Sequence, residues 1–303
     1  MADNIILYDW VSFTSKIDSP ETIKDLLGLS DVPWQLVKGA HGYRDRWYFE
    51  SISIHFNGTP EMGVWCEMSG QGCRAFETHG HGEYDAIFSY LIENPDDTNM
   101  TRLDVAYDDF QGLLDLTAIA KDTLDHNFVS RFRSWKVEYS DSGTSVYHGS
   151  PSSEIRVRIY DKKAERNRTD LDHWVRCEIQ MRRDRAFQFI QSDLPLLRRY
   201  FAVLNNYLRY IQVDSDDSNI WRASTADHWA RFLQTTDSMS IFKKPGVEYN
   251  IFRLENFVVR QAGGAIDTYI KLLGIDELML RLLQRRAEVR LNPKYEELLR
   301  ERG

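Results

Sequence analysis

The run EIRVRIYDK at 154–162 carries the residues best suited to chemistry. Read as a strand, it turns Ile155, Val157 and Ile159 to one side and Arg156, Arg158, Tyr160 and Lys162 to the other. A tyrosine hydroxyl then shares a face with three cations. Attack on a phosphodiester needs such a grouping: a nucleophilic oxygen, with positive charge where the non-bridging oxygens gain negative character. Arginine also grips phosphate through paired donors.

Two other segments alternate in the same way. At 102–105, Arg102 and Asp104 share a face while Leu103 and Val105 turn inward. At 175–181, Arg176, Glu178 and Gln180 oppose Val175, Cys177, Ile179 and Met181. Asp104 and Glu178 are therefore candidates to converge on a divalent ion that prefers oxygen ligands, Mg²⁺ or Mn²⁺. Lys136 and Glu138 occupy a comparable face on a further segment. Alternating Arg and Asp/Glu equally describes cross-strand ion pairs, and periodicity does not say which strands are neighbours.

The elements that must position these residues are strands and short helices. Residues 47–56 (WYFESISIHF) have strand composition and end at the turn signal Asn57-Gly58, with 64–68 as a hairpin partner. Ser69 to Arg74 form a glycine-bearing bend. Helices are expected over 84–93 and 116–124, with a strand over 101–107 between them. A second strand block follows at 131–139, 144–148, 154–161 and 174–181, then helices at 185–190 and 194–211. This reads as an α+β protein on antiparallel sheet, with two related lobes over 1–210. Beyond 211 the chain turns helical, at 221–233 and 264–283, and 211–303 is expected to contact DNA or a partner.

Composition narrows the class. The chain has 303 residues, 42% apolar and 13% aromatic, enough for a substantial core. Its formal net charge of −8 argues against a sequence-blind nucleic-acid coat. Residues 156–185 nevertheless hold ten basic and six acidic side chains, a local surplus of four. The start MADNIILYDW is not a signal peptide, no apolar run is long enough to span a bilayer, and Cys66, Cys73 and Cys177 suit free thiols in a reducing, cytoplasmic compartment. There is no phosphate-binding loop of the GxxxxGKS/T kind. His79-Gly80-His81 is the nearest approach to a paired-histidine motif, and its glycine favours a loop.

Taken together, MSGQGCR at 68–74, RLDVAYDD at 102–109, YHGSPSSEIRVRIYDKK at 147–163 and WVRCEIQMR at 174–182 resemble the rolling-circle replication initiation factor family. That family includes plasmid initiators and related relaxases of integrative elements and phages. The resemblance implies a nicking-closing enzyme with its tyrosine in an arginine-x-tyrosine-x-lysine strand, matched by Arg158, Tyr160 and Lys162. It implies metal-binding carboxylates at Asp104 and Glu178, with Asp108 either a third ligand or a turn cap. Tyr147 is the rival nucleophile, on a poorer cation face. Gly70, Gly72 and Arg74 would support the site. Arg156, Arg176, Arg182 and Arg183 would hold the DNA strand, and Arg285 and Arg286 would contact flanking duplex. The implied partners are origin DNA with a single-stranded or hairpin nick site, a separate helicase, and a second copy of the chain as a homodimer. The competing expectation is a DNA-binding regulator of the same fold that does not cleave.

Overall fold

The computed structural model describes residues 3–213, 220–233, 258 and 263–285. The chain divides into two compact units, 1–239 and 240–303. In the first, β1 (Ile5–Ser15) leads to α1 (Pro20–Leu26), β2 (Gln35–Lys38), β3 (Asp45–Phe49), β4 (Ile52–Phe56), β5 (Val64–Met68), α2 (Gly70–His79) and α3 (Tyr84–Glu93). Then come β6 (Thr98–Asp109), α4 (Leu116–Leu124), β7 (Phe128–Ser130), β8 (Trp135–Ser140), β9 (Gly143–His148) and β10 (Ile155–Asp161). The unit continues with α5 (Lys162–Glu165), β11 (Val175–Arg182), α6 (Asp184–Ile190), α7 (Leu196–Tyr207), β12 (Leu208–Tyr210) and α8 (Asp227–Leu233).

Ten strands make one antiparallel sheet in the order β2-β3-β4-β5-β1-β6-β11-β10-β9-β8, while β7 and β12 pair separately. The order contains a repeat. From β1 outward it runs β5, β4, β3, β2; from β6 outward it runs β11, β10, β9, β8. Each half is thus a strand, a helix and a four-strand meander whose last strand returns beside the first, followed by two helices. The halves meet where β1 pairs with β6, so one sheet carries both lobes.

Alternation gives this sheet two different faces. Val11, Phe13, Ile54, Cys66, Leu103, Val105, Ile159, Cys177 and Ile179 are fully buried on the side where the helices pack. Each Val, Leu, Ile or Phe among them contributes roughly 1.5–3 kcal/mol by leaving water. On the second half an aromatic layer thickens that side. Tyr107 packs against Tyr200, Phe201 and Phe232, and Trp229 against Tyr210 and Phe232. Residues after 210 therefore complete the first unit's core. The opposite face carries Arg102, Asp104, Arg156, Arg158, Arg176 and Glu178, while Ser15, Thr98 and His148 turn toward the helix side and are hydrogen-bonded there.

Several elements depart from the sequence expectation. Residues 47–56 are two strands, because Glu50 and Ser51 both adopt left-handed φ (40° and 70°) and fold the segment into a tight hairpin. The glycine-bearing segment expected as a bend is the start of α2. A Cβ on Gly72 would lie 2.3 Å from the Ser51 carbonyl oxygen, so glycine permits a close helix–turn approach. The expected strand at 131–139 is confined to β8. The helix expected over 221–233 is confined to α8.

In the second unit, α9 (Gly263–Leu273) and α10 (Ile275–Arg285) replace a single expected helix. Gly274 separates them at a φ of 88°. Among the described residues, no helix is long and apolar enough to cross a membrane.

Candidate active site

The open face of the second half gathers the residues of interest by register. Tyr160 lies opposite Arg176, and Arg158 opposite Glu178. Arg158 also faces Tyr147 on β9, while Asp104 faces Gln180 and Asp108 faces Arg176. Arg102, Tyr147, Arg156, Arg158, Glu178 and Gln180 line a cavity of about 270 Å³ at the centre of this face.

Tyr160 lies beneath that surface, 2% exposed. The Arg158 guanidinium covers its ring at 3.7 Å from the centroid, and Lys162 Nζ donates to its hydroxyl at 3.1 Å. Burial raises the phenol above the ordinary tyrosine value. The Glu178 charge adds to that rise, while Arg176 and Arg158 oppose it. Lys162 was expected on the strand with Tyr160; instead Asp161 ends the strand. The Asp161 carboxylate accepts from Ala164 N at 2.8 Å, capping α5, and Lys162 opens that helix. The side chain still returns to Tyr160 and also binds Glu165. Burial lowers the Lys162 ammonium from its usual value.

Tyr147 is more accessible. The Arg156 guanidinium stacks 4.4 Å from its ring centroid, and on the neighbouring β8 Glu138 pairs with Lys136 at 2.6 Å.

The carboxylates form two groups. Asp104 is 2% exposed and accepts from Arg102 at 2.9 and 2.5 Å. Burial raises its carboxyl above the usual range, with Asp9 adding to the rise and Arg102 opposing it. Burial likewise raises Glu178, and the charges of Asp104 and Asp9 push the same way. Carboxylates whose charges oppose each other suit a hard divalent cation in chemistry, but Arg102 already takes both oxygens of Asp104, so an ion held by Asp104 and Glu178 would have to displace or share that guanidinium. Among the described residues, no cluster of three His, Cys, Asp or Glu donors stands assembled.

Asp108, expected as a further ligand, is committed elsewhere. It accepts from Arg176 Nε and Nη2 at 2.6 and 2.7 Å, and the third guanidinium nitrogen, Nη1, lies 2.7 Å from Asp9. Arg176, expected to grip DNA, is 5% exposed and held in this buried triad. A buried guanidinium without carboxylates would be costly, which explains why the triad forms.

The other expected residues occupy the rim and the support. Arg156 Nε and Arg158 Nε are buried with no hydrogen-bond partner among the described residues. Arg182 binds the Pro151 carbonyl near Arg102 and Arg156, and Arg183 is exposed at the start of α6. Arg74 donates to the Tyr8 carbonyl at 2.7 Å, and Gly70 lets α2 approach Asp9, where a Cβ would lie 2.8 Å from its carboxylate. His79 pairs with Glu50 at 3.3 Å, away from the cavity. Arg286 and the Arg285 side chain lie outside the described residues.

Asp9, Trp10 and Glu165 were not anticipated. Asp9 sits where the β1–β6 register shifts between Tyr8 and Trp10, which turns an acid in an apolar strand toward Arg176. A lone aspartate inside IILYDWVSF was its only signal.

Fold and site together define a tandem-repeat α+β protein with a tyrosine, cations and paired carboxylates on the open face of its second repeat. Residues 98–281 match the model of the replication initiation factor family, and the chain belongs to that family. Residues 5–92 match the N-terminal domain of rolling circle replication initiation proteins, so the two matches divide the chain where its two structural halves divide. The NicK protein of Bacillus subtilis (strain 168), assigned as a DNA relaxase, is 26% identical over 268 residues, covering 81% of this chain and 75% of that protein. The rolling circle replication initiator protein of Geobacillus stearothermophilus has a similar structure, with a TM-score of 0.71 and 31% identity. That match covers 76% of this chain and 96% of the other.

Proposed function

We propose that this protein nicks and rejoins one strand of a specific origin, with Tyr160 as the nucleophile. The observation that carries the proposal is the Lys162–Tyr160 contact of 3.1 Å on the face that also holds Glu178 and Arg158. Tyr160 Oη attacks the scissile phosphorus, and the bond to the 3′ oxygen breaks. The phenol's proton leaves to solvent and the departing oxygen gains one, so a 5′-phosphotyrosine and a free 3′ hydroxyl result. Return attack by that hydroxyl reseals the strand. The Lys162 ammonium stabilises the phenolate, and Arg158 moves from the ring to the incoming phosphate. Asp104 and Glu178 would hold Mg²⁺ or Mn²⁺, which would polarise a non-bridging oxygen.

The free 3′ hydroxyl suits priming of rolling-circle replication, and strand transfer during conjugation uses the same step. Similarity to a replication initiator and to a protein assigned as a relaxase supports both uses. A separate helicase would supply unwinding. Single-stranded oligonucleotides tiled across the cognate origin test the reading. One should yield a covalent protein–DNA adduct with divalent ion present. Tight binding to the origin with no adduct from any oligonucleotide would instead identify a regulator of the same fold.

A further inference from the structure

The repeat assigns equivalents in the first half to four positions of the candidate site, Glu178, Tyr147, Tyr160 and Arg176. Glu178 lies opposite Arg158 and Ala106; Glu67 lies opposite Ser53 and Ser12. Carrying the register outward makes Tyr48 the equivalent of Tyr147, His55 of Tyr160 and Trp65 of Arg176. The first half thus keeps the acid and the outer tyrosine but has lost the nucleophile and the buried guanidinium. Burial lowers His55 to about 4, so a neutral imidazole stacked on Trp65 at 4.6 Å stands where the second half has the Tyr160–Arg176 pair.

This face continues the cavity. Arg102 lines the cavity and binds Asp104, and its guanidinium also stacks 4.0 Å from the Trp10 ring. Beyond Trp10 come Glu67 and then Tyr48, with Arg46 at 5.4 Å from the Tyr48 ring. Trp10, Arg46 and Tyr48 are half-buried. Trp10 Nε1 and Arg46 Nε are buried with no hydrogen-bond partner among the described residues. Arginine over an aromatic ring therefore recurs at Tyr160, Tyr147, Trp10 and Tyr48 along one sheet face. Strand spacing and rise put Glu67 roughly 20 Å from Glu178 along the diagonal.

We propose that the open face of the first half is a binding track for single-stranded DNA continuous with the nick site, in which Trp10 and Tyr48 stack bases and Arg46 and Arg102 hold phosphates. Alternating π-faces and guanidinium groups match alternating bases and phosphates, and stacking tolerates any sequence. The first half would hold the strand without cutting it, because its equivalent of Tyr160 is a buried histidine. The inference rests on the proposed nicking function for the identity of the strand.

The test uses the full chain and oligonucleotides that cover the nick site alone or extend from it on the 5′ or the 3′ side. Wild type should bind one extended oligonucleotide more tightly than the short one. The Arg46→Ala/Tyr48→Ala pair should lose about tenfold in affinity for the extended strand and little for the short one. Photo-crosslinking from 5-iododeoxyuridine placed along the extension should modify Trp10 or Tyr48 in the wild-type protein, which keeps the test independent of variant folding. Equal affinity for all three oligonucleotides, or crosslinks confined to β9 and β10, would overturn the track while leaving the nicking proposal intact. An absence of adduct with every oligonucleotide, alongside normal crosslinking to Trp10 or Tyr48, would overturn the nicking proposal and keep the track.

Discussion

The Arg158 guanidinium lies 3.7 Å from the centre of the Tyr160 ring and 3.6 Å from the Glu165 carboxylate. The same arginine borders the cavity. A phosphate entering there competes with a ring and one carboxylate for a single guanidinium, so substrate binding and uncovering of the tyrosine are linked. Arg158→Lys keeps the charge but loses the planar donor fork. It should lower strand cleavage by about 10²-fold or more, the scale of a lost oxyanion donor. Single-turnover cleavage measures this, and a rate within twofold of wild type would show that Arg158 only covers the ring.

Arg176 should matter to folding more than to DNA binding. Removing it strands Asp108, whose side chain is 4% exposed, and Asp9 at 21%. Arg176→Leu should cost about 3–5 kcal/mol in denaturant unfolding, the range for breaking a buried ion pair. Asp9→Asn should cost less, because Asp9 is the more exposed partner. A neutral effect of Arg176→Leu on stability, with lost DNA affinity, would return Arg176 to the DNA contacts.

Such reassignments mark the limit of what the sequence made legible. Strand faces followed from period-two alternation, so Arg158, Tyr160, Glu178 and Asp104 fell on one side as expected, and α3 and α4 matched their expected spans. Alternation is local, however, and says nothing about which strands pair. Asp108 and Arg176 looked like ligand and DNA grip until the β6–β11 register set them opposite each other. Tight turns without Asn-Gly, as at Glu50-Ser51, also escape composition. The duplication is carried by strand order, with little in the residues beyond the Cys-Glu pairs at 66–67 and 177–178 to signal it.

The paired carboxylates predict a pH-dependent stability. Asp104 and Glu178 both have folded values raised above the ordinary carboxylate range, so the folded state binds more protons than the unfolded one. Their contribution is fully present below the ordinary range. It is lost as pH rises through the raised values and both groups ionise. Metal-free protein should therefore melt lower at pH 8 than at pH 6 by more than Glu178→Gln does. Added Mn²⁺ should restore the wild type at pH 8, with roughly 2–4 °C in Tm for each kcal/mol gained, and should leave Glu178→Gln unmoved. Equal Mn²⁺ stabilisation of both proteins would place any ion elsewhere.

Gly72 provides a check on the helix that supports Asp9. A methyl group there meets the Ser51 carbonyl at 2.3 Å, backbone that moves only with the hairpin turn. Gly72→Ala should destabilise by about 1–3 kcal/mol in urea unfolding. An increase in stability from improved helix propensity would mean that the turn yields freely.

The central claim is that Tyr160 forms the covalent bond to DNA, and denaturing gels of labelled nick-site oligonucleotide test it most directly. Tyr160→Phe should fold, bind the strand and yield no adduct. Tyr147→Phe should still yield one, because the lysine ammonium that would stabilise a phenolate is held at the Tyr160 hydroxyl. Peptide mapping of the wild-type adduct should recover the nucleotide on Tyr160. A full-sized adduct from Tyr160→Phe, lost instead in Tyr147→Phe, would contradict the account and move the nucleophile to β9.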